Sequence, residues 1–547
     1  MSSSFLNRLE ESYPRCRALF AGTVWSCILE EYLGQRVDRP FPDFLSARTG
    51  QFVLPPFLPD LARLEEAVAR ASRAETPSYP NLTQVTVNPS LQLIHLTWKN
   101  LAHLMKTGMD PQSSHPDPGD EWVLVWRHPH TSEIEIRPAT DQDLLALKLV
   151  AEDMDFRIVA RENKVPVSHL EEVVNRSALI GLLLSPPSRI RRDPSVYLAG
   201  GASREQYQAS PVFTLQWHIT QACDLHCRHC YDRSSRESLQ LDQAFRVLDD
   251  LYDFCRLHCV KGQVSFTGGN PLLYPGFTDL YRRAVDLGFQ VAILGNPVSK
   301  EEIEELLAIE PPVYYQVSLE GLSEHNDRVR QTGHFHRTLE FLRALRDLKI
   351  FSMVMLTLTK DNLSQVLPLA EMLRGKTDLF TFNRLSLVGE GAKLELPEDK
   401  QFASFLEAYS EASRTNPVIG FKDNLLNIAR FQKGLELFGG CCGFGCGAAF
   451  NFISVLPDGE AHACRKFPSP IGNVLKDGIG GVYHSDMAKR YRRGSRACDP
   501  CPIRPVCGGC LAITHSLGRD VFEDRDPLCF MNTTASSEDL TRRHSFA

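Results

Sequence analysis

The stretch that decides the fold of this chain is Gln221-Ala-Cys223-Asp-Leu-His-Cys227-Arg-His-Cys230-Tyr231. It places three cysteines within eight residues, directly after a β-type run at 212–219. Three thiolates this close can converge on one centre only if the backbone loops around it. They are one ligand short of a closed tetrahedral zinc site or a fully ligated iron–sulfur cube. Either His226 or His229 completes a zinc site, or one iron is left open for a substrate.

Outward from this stretch, β-type runs alternate with amphipathic segments. The expected strands are 212–219, 263–267, 289–294, 314–319, 351–358 and 379–387. The expected helices between them are 241–257, 277–287, 300–309, 337–348 and 363–373. This alternation predicts an α/β fold with a parallel sheet and outer helices, either an open sheet or a partial barrel. Chemistry in such folds lies at the carboxyl ends of the strands, where the first cysteine loop falls.

The N-terminal region has a different pattern, which mixes helices with a hairpin. Helices are expected at 5–32, 58–71, 141–152 and 167–184, and hairpin arms at 122–126 and 133–137. Residues 185–194, rich in Pro and Arg, form the expected linker. Beyond Pro397 the chain is expected to be helical to about residue 437, then rich in Gly and Cys to Cys529.

The composition excludes several classes of protein. The chain has 547 residues, 43% hydrophobic and 23% charged, so it is neither disordered, collagenous nor a coiled coil as a whole. A net charge of −7 does not favour non-specific nucleic-acid binding. No apolar run approaches the ~20 residues of a membrane helix, and the first fifteen residues lack the apolar core of a secretory signal. We therefore expect a cytoplasmic protein without a nucleic-acid or membrane partner.

Sixteen cysteines in a chain of this length favour metal or cluster ligands over disulfides. Nine of them lie between residues 441 and 529. The run Cys498-x2-Cys501-x5-Cys507-x2-Cys510 fits a zinc site on spacing alone. Eight or nine cysteines nevertheless exceed one site, because each tetrahedral zinc or cube takes four.

The first cluster, Cys-x3-Cys-x2-Cys followed by an aromatic residue, resembles the radical S-adenosylmethionine (SAM) superfamily. The resemblance implies a partial (β/α)6 barrel in which Cys223, Cys227 and Cys230 hold a [4Fe–4S] cluster. The open iron of that cluster binds SAM, whose cleavage releases a 5′-deoxyadenosyl radical. Thr267-Gly268-Gly269-Asn270-Pro271 resembles the family's Gly-Gly-Glu-Pro segment, with Asn in place of Glu, and the resemblance implies that Gly268, Gly269 and Asn270 bind SAM. The resemblance also implies that Ser318 and Arg330 hold the SAM carboxylate.

The C-terminal cysteines resemble the SPASM extension of radical SAM enzymes, which carries two auxiliary [4Fe–4S] clusters. Carried over residue by residue, the likeness assigns two sets of four ligands. One cluster takes Cys442, Cys446, Cys464 and Cys510, and the other takes Cys498, Cys501, Cys507 and Cys529. The gap before Cys510 is two residues where the family usually has three. Cys441 and Cys442 are adjacent, and only one of them is expected to be a ligand.

Enzymes with this extension mostly modify peptides or proteins, and the whole arrangement most resembles the selenobiotic, thio(seleno)oxazole-type peptide maturases. The N-terminal region resembles the helical partner proteins of bufferin- and methanobactin-type maturases, although it also fits a cap that only stabilises the fold. The implied partners are a Cys-containing precursor peptide and a ferredoxin- or flavodoxin-type electron donor. One alternative is an anaerobic sulfatase-maturating (formylglycine-generating) enzyme. That type has an Asp that acts as a base directly after the cysteine that corresponds to Cys464, whereas this chain has Arg465. The other alternative is a non-catalytic zinc-binding interaction protein.

These observations lead to a complete expected domain organisation. It runs as a helical domain at 1–75, an α+β peptide-recognition domain at 76–190, a radical SAM core at 205–395, a helical linker at 396–437, a SPASM domain at 438–531 and a flexible tail at 532–547.

Overall fold

A computed structural model describes residues 11–20, 23–34, 39–47, 53–74, 82–107, 115–197 and 205–531. The start of the first expected helix and the expected tail at 532–547 lie outside these residues. The chain divides into two compact units, Met1–Pro187 and Ser188–Ala547. The division falls inside the stretch at 185–194 that was expected to be a linker.

The first unit combines short helices with a three-stranded antiparallel sheet. Its helices are α1 (Pro14–Arg17), α2 (Val24–Gly34), α3 (Phe41–Ala47), α4 (Leu58–Arg73), α5 (Leu101–Thr107), α6 (Asp141–Ala151), α7 (Phe156–Asn163) and α8 (Val167–Leu179). Its strands are β1 (Thr86–Val87), β2 (Gln92–Lys99), β3 (Asp117–Arg127), β4 (Ile134–Pro138) and β5 (Leu183–Leu184). The core lies between α4 and the sheet, because Leu58, Leu61 and Leu64 turn one apolar face inward.

The first unit follows the expected pattern in part. The helix expected at 5–32 is interrupted, because α1 ends at Arg17 and α2 begins at Val24, and helices α3 and α5 were not expected. The hairpin forms as expected, since β3 pairs with β4. The helix expected at 167–184 ends at Leu179 instead, because Gly181 adopts a φ of +79° and turns the chain. Residues 183–184 then pair with β1. Helix α7 was not expected, and its start is capped by the Asp155 side chain.

The second unit is built on the expected alternation of strands and helices. The six expected strands form as β6 (Val212–Thr220), β7 (Lys261–Gly268), β8 (Gln290–Leu294), β9 (Tyr314–Ser318), β10 (Ser352–Leu358) and β11 (Leu379–Arg384). They are parallel, as the alternation predicts, and the structure places them side by side in chain order. All six carboxyl ends therefore lie at one edge of the sheet.

The helices between these strands lie close to the expected positions, except that the short helix at Ser323–Val329 was not expected. They are α9 (Leu241–His258), α10 (Phe277–Asp286), α11 (Lys300–Leu307), α12 (Ser323–Val329), α13 (His334–Asp347) and α14 (Val366–Met372). The strands that they flank are among the most buried of the chain. Trp217, Phe266 and Phe380, on three different strands, are fully inside. This core fixes the strand ends, from which the site is built.

The cysteine-rich C-terminal region extends the same sheet. Its strands are β12 (Phe452–Val455), β13 (Glu460–His462) and β14 (Pro470–Asn473), and its helices from residue 399 on are α15 (Asp399–Ala412), α16 (Leu426–Gln432), α17 (Val474–His484), α18 (Asp486–Arg493) and α19 (Leu511–Ser516). Strand β12 pairs in parallel with β6, and β13 and β14 follow antiparallel. One nine-stranded sheet therefore joins both cysteine-rich regions. Among the described helices, none is long and apolar enough to span a bilayer.

Candidate functional site

A cavity of about 490 Å³ lies at the carboxyl ends of the parallel strands. Its lining includes seven residues singled out from the sequence, namely Cys223, Cys227, Cys230, Gly268, Gly269, Ser318 and Arg330. These residues come from the loop after β6 and from the ends of β7 and β9, with Arg330 directly following α12. The fold thus brings together side chains up to 107 positions apart in the sequence. Asn270, also singled out, does not line the cavity, although the neighbouring Gly295 does.

The three cysteines are held in place by backbone contacts along their loop. The Gly269 amide donates to the Thr220 carbonyl at 2.8 Å, and the Asn270 amide donates to the Ala222 carbonyl at 2.7 Å. Further along the loop, the Glu390 amide donates to the Cys230 carbonyl at 2.8 Å. Neighbouring strand ends therefore fix both ends of the cysteine loop.

The glycine pair of the Thr267–Pro271 segment is required by this close approach. A Cβ on Gly268 would lie 2.3 Å from the Thr220 carbonyl oxygen, and one on Gly269 would lie 2.1 Å from that of Ala222. Gly268 also adopts a φ of +127°, which side chains other than hydrogen disfavour. The family resemblance assigns Gly268 and Gly269 to SAM binding. In the structure, they also allow strand β7 to pack against the cysteine loop.

A small polar network lies beside Cys223, and sequence reasoning found only one of its members. Asn270 is 3% exposed, and its Oδ1 has no hydrogen-bond partner among the described residues. Asp224 Oδ1 accepts hydrogen bonds from Asn296 Nδ2 at 2.6 Å and from Asn270 Nδ2 at 3.4 Å. Asn296 Nδ2 also lies 3.6 Å from Cys223 Sγ. The network brings a carboxylate next to Asn270, where the family pattern has Glu.

Arg330 is buried rather than solvated, and a carboxylate holds it. Its Nε and one terminal nitrogen donate to Glu320 Oε1 at 2.9 and 2.6 Å, while its other terminal nitrogen lies 3.7 Å from Cys227 Sγ. His229 Nε2 lies 3.3 Å from the same carboxylate oxygen. Burial raises the pKa of Glu320, but the His229 and Arg330 charges outweigh burial and keep that pKa well below its usual range. The pKa of the Cys227 thiol is raised by burial, which the Arg330 charge opposes.

Part of the cavity lining comes from the C-terminal region, through Arg465 and Lys466. Lys466 Nζ donates to the Arg384 carbonyl at 2.8 Å, and Arg465 reaches to 3.5 Å from Thr267 Oγ1. Burial, with the Arg465 charge, lowers the pKa of His218 to about 3, so this imidazole is neutral at physiological pH. Arg465 therefore places a positive charge at the cavity. Its contact with Thr267 was not predicted from the sequence.

The remaining C-terminal cysteines fall into two neighbourhoods. Burial and the charges of neighbouring cysteines raise the pKa of Cys446 to about 12 and that of Cys464 to about 11, and Cys510 acts on both. In the second neighbourhood, burial and the charges of Cys501 and Cys529 raise the pKa of Cys498 to about 11. Cys507 is buried beside those three cysteines. This grouping matches the two expected ligand sets except at Cys441 and Cys442.

None of the sixteen cysteines forms a disulfide. Within the part of the chain that the structure describes, no three His, Cys, Asp or Glu side chains are arranged for a single metal ion. Both cysteine neighbourhoods supply thiols from separate loops, which is the donor type that iron–sulfur clusters use. The donor sets therefore fit the clusters that the sequence implies.

A buried ion triad links the sheet to the C-terminal region, and the sequence analysis did not anticipate it. Arg384 at the end of β11 donates through Nε to Asp423 at 2.6 Å and through a terminal nitrogen to Asp526 at 2.7 Å. Arg384 and Asp526 are each 1% exposed in their side chains. Asp526 also accepts from the Cys510 amide at 2.9 Å. The triad thus fixes the Cys510 loop against the end of the sheet.

Comparison with known proteins agrees with both parts of this site. Residues 217–373 match the radical SAM superfamily, and residues 446–510 match SPASM, an iron–sulfur cluster-binding domain. The chain is 27% identical over 313 residues to the antilisterial bacteriocin subtilosin biosynthesis protein AlbA of Bacillus subtilis, a match that covers 54% of this chain and 66% of AlbA. It is 24% identical over 341 residues to an AdoMet-dependent heme synthase of Methanosarcina barkeri, which covers 58% of this chain and 95% of the synthase.

Among solved structures, SuiB of Streptococcus suis bound to its precursor peptide SuiA aligns with a TM-score of 0.50 at 16% identity, over 75% of this chain and 96% of SuiB. At this identity the likeness concerns the fold alone. Both matched sequence segments contribute residues to the one cavity, the first through Cys223, Cys227 and Cys230 and the second through Arg465 and Lys466. Residues 217–373 of this chain therefore match a radical SAM domain, and residues 446–510 match a SPASM iron–sulfur cluster-binding domain.

Proposed function

We propose that this chain is a peptide maturase that cleaves SAM reductively at a [4Fe–4S] cluster held by Cys223, Cys227 and Cys230. The observation that carries the proposal is that one cavity is lined both by these three cysteines and by Arg465 and Lys466 of the SPASM domain. A substrate bound there would lie between the SAM site and the C-terminal cysteines.

The residues around the first cluster have separable roles in this proposal. When bound, the cluster and SAM together supply a 5′-deoxyadenosyl radical that abstracts hydrogen. Gly268 and Gly269 hold the cysteine loop, and Arg330, fixed by Glu320, provides a positive charge beside Cys227. Ser318 and Asn270 are proposed to contact SAM, because Ser318 lines the cavity and Asn270 Oδ1 is a buried acceptor without a hydrogen-bond partner among the residues that the structure describes.

The remaining eight ligands are proposed to hold two auxiliary clusters that carry electrons or bind the substrate. Their two neighbourhoods each contain at least four thiols from separate loops, which supports two clusters rather than one. An electron donor of the ferredoxin or flavodoxin type is proposed to reduce the clusters. The buried Arg384 triad favours this layout, because it keeps the Cys510 loop next to the sheet.

For the substrate, we propose a ribosomally made, Cys-containing peptide. AlbA is named for bacteriocin biosynthesis, and SuiB was solved with a precursor peptide. The first unit is proposed to recognise that peptide, as a domain at 76–190 beside a helical domain at 1–75. The sulfatase-maturating alternative is disfavoured, because Arg465 lines the cavity and an Arg cannot accept a proton at neutral pH. The radical SAM match disfavours the zinc-binding interaction protein.

The first experiment is anaerobic reconstitution of the full chain with iron and sulfide, followed by SAM and dithionite. We expect 5′-deoxyadenosine from the wild type and from the control variant Cys27→Ala. Cys27 lies outside both cysteine-rich regions of the sequence. The triple variant Cys223→Ala/Cys227→Ala/Cys230→Ala should give none. Equal yields from the triple variant and the wild type would contradict the proposal.

The second experiment tests the substrate. Short Cys-rich reading frames beside the gene should be co-expressed with the chain, and the peptides compared by mass spectrometry. We expect a mass change that disappears with the triple cysteine variant. Unmodified peptides alongside active SAM cleavage would reject the proposed substrate class and leave the SAM chemistry standing.

A further inference from the structure

The adjacent thiols of Cys441 and Cys442 lie in a short 3-10 turn, Gly440–Cys442. Such a turn has about three residues per turn, so consecutive side chains point in directions about 120° apart. The two thiols therefore face different surroundings, and the structure distinguishes them. We propose that Cys441, and not Cys442, joins Cys446, Cys464 and Cys510 as the fourth ligand of one auxiliary cluster. This inference rests on the proposed function.

The position of Cys442 turns it back into its own loop. Its Sγ donates to the Gly445 carbonyl at 3.3 Å. A Cβ on Gly447 would lie 2.1 Å from the same sulfur, so the sulfur packs directly against that glycine. The charges that act most strongly on the Cys442 thiol are those of Cys441, Cys446 and Arg192. The Cys442 side chain thus contacts Gly445 and Gly447 of its own loop.

The position of Cys441 is tied to the Cys510 loop by one side chain. Asn424 Oδ1 accepts the Cys441 amide at 2.7 Å, and Asn424 Nδ2 donates to the carbonyl of Gly509, the residue before Cys510. Asn424 is 3% exposed, so this bridge is buried. Cys446 joins the same loop, because its amide donates to the Cys507 carbonyl at 3.0 Å. Hydrogen bonds through Asn424 and between Cys446 and Cys507 therefore hold the backbone segments of three proposed ligands, Cys441, Cys446 and Cys510, together.

Charge interactions agree with this grouping. The Cys441 charge raises the pKa of both Cys446 and Cys464, after the larger effect of burial. Cys510 in turn raises the pKa of Cys441. The Cys441 side chain is solvent-accessible, yet protein surrounds it densely enough to raise its pKa, as expected for a thiol on a concave wall.

Two of the nearby cations, Lys422 and Lys466, act on Cys441, whereas Arg192 acts on Cys442. Burial lowers the pKa of Lys422, and the Cys441 charge is the strongest charge that opposes this. Lys466 lowers the pKa of both Cys441 and Cys464. An anionic cluster with four thiolates requires such compensation, because buried charges are stable only when they are paired. Cys441 therefore has the neighbours that a ligand thiolate needs.

The test compares Cys441→Ala and Cys442→Ala in the full chain, with Cys464→Ala as the control for loss of a ligand. All are reconstituted anaerobically, and iron, sulfide and the EPR spectrum of the reduced protein are measured. With three [4Fe–4S] clusters the wild type holds about twelve irons per chain. Cys441→Ala should match Cys464→Ala, either falling to about eight irons or giving the same altered EPR signal. Cys442→Ala should match the wild type.

Two further measurements keep the result interpretable. Circular dichroism checks that each variant is folded, and Cys441→Ser against Cys442→Ser repeats the EPR comparison with side chains close in size to Cys. The inference is overturned if Cys442→Ala matches Cys464→Ala, or if the two variants cannot be distinguished. If the wild type itself binds no cluster or cleaves no SAM, the proposed function fails first.

Discussion

At the scale of single residues, the buried Glu320 carboxylate organises the wall beside the first cysteine loop. It accepts from Arg330 and the Thr357 amide, and His229 lies within ion-pair distance. Removing one partner of a buried ion pair leaves the other charge uncompensated, which costs about 3–5 kcal/mol. Glu320, which does not line the cavity, thus sets the position of Arg330, which does.

Glu320→Gln should therefore lower the free energy of unfolding by about 3–5 kcal/mol at pH 7. The pKa of Glu320 is depressed in the folded chain, so its contribution is complete above the pKa of an unfolded Glu and is lost as the pH falls toward the folded value. The difference between wild type and variant should shrink as the pH is lowered through that range. Urea unfolding at several pH values measures this difference in the free energy of unfolding. Glu371→Gln, which removes one partner of the exposed Arg374–Glu371 pair, is the control.

At the scale of elements, short segments between strands determine whether the cysteine loop can form. The Gly268-Gly269 turn after β7 packs against the backbone of the loop after β6. The ion triad of Arg384 fixes the end of β11 to two C-terminal segments. Both contacts join elements that are distant in the sequence, and each can be removed by a single substitution.

Gly269→Ala should disturb the first cluster selectively. Its Cβ would lie 2.1 Å from the Ala222 carbonyl oxygen, so the cysteine loop must move. We expect loss of about four of about twelve irons per chain and loss of 5′-deoxyadenosine formation. Gly480→Ala is the matched control, because a Cβ there meets nothing within 4 Å. Full iron content and activity in Gly269→Ala would show that the close approach is not needed.

Arg384→Met should destabilise the second unit by about 3–5 kcal/mol, because it leaves the buried Asp423 and Asp526 carboxylates without their cation. The matched variant Arg374→Met removes an exposed partner of Glu371 and should change little. Chemical denaturation of both variants gives the comparison. Equal stabilities would mean that the triad contributes nothing to the fold.

At the scale of the whole molecule, two compact units divide the proposed tasks. All cavity residues and all C-terminal cysteines belong to Ser188–Ala547. The proposed peptide-recognition domain belongs to Met1–Pro187. SAM cleavage and peptide recognition are therefore separable in the sequence.

Residues 188–547 expressed alone should still cleave SAM but should modify the peptide at least tenfold more slowly than the full chain. The comparison uses 5′-deoxyadenosine yield and peptide mass change from the same reactions, with the full chain as control. Equal peptide modification by both proteins would assign the first unit to a role other than substrate recognition. Loss of SAM cleavage in a folded 188–547 fragment would show that the chemistry itself needs the first unit.

The sequence by itself determined the α/β alternation, the parallel direction of the six strands and the place of the first cysteine loop. These follow from local signals, because hydrophobic period and residue type act over a few neighbouring positions. The two C-terminal cysteine neighbourhoods were also predictable, since their spacing is carried by the sequence and matches a known extension.

Tertiary structure alone decided which distant residues meet. The pairing of β12 with β6 carries Arg465 into the cavity, and the Arg384 triad joins three separate segments. The family resemblance assigned Cys442 and left the choice between Cys441 and Cys442 open, whereas the bridge through Asn424 favours Cys441. Such contacts depend on packing between elements far apart in the chain, and no local pattern records them.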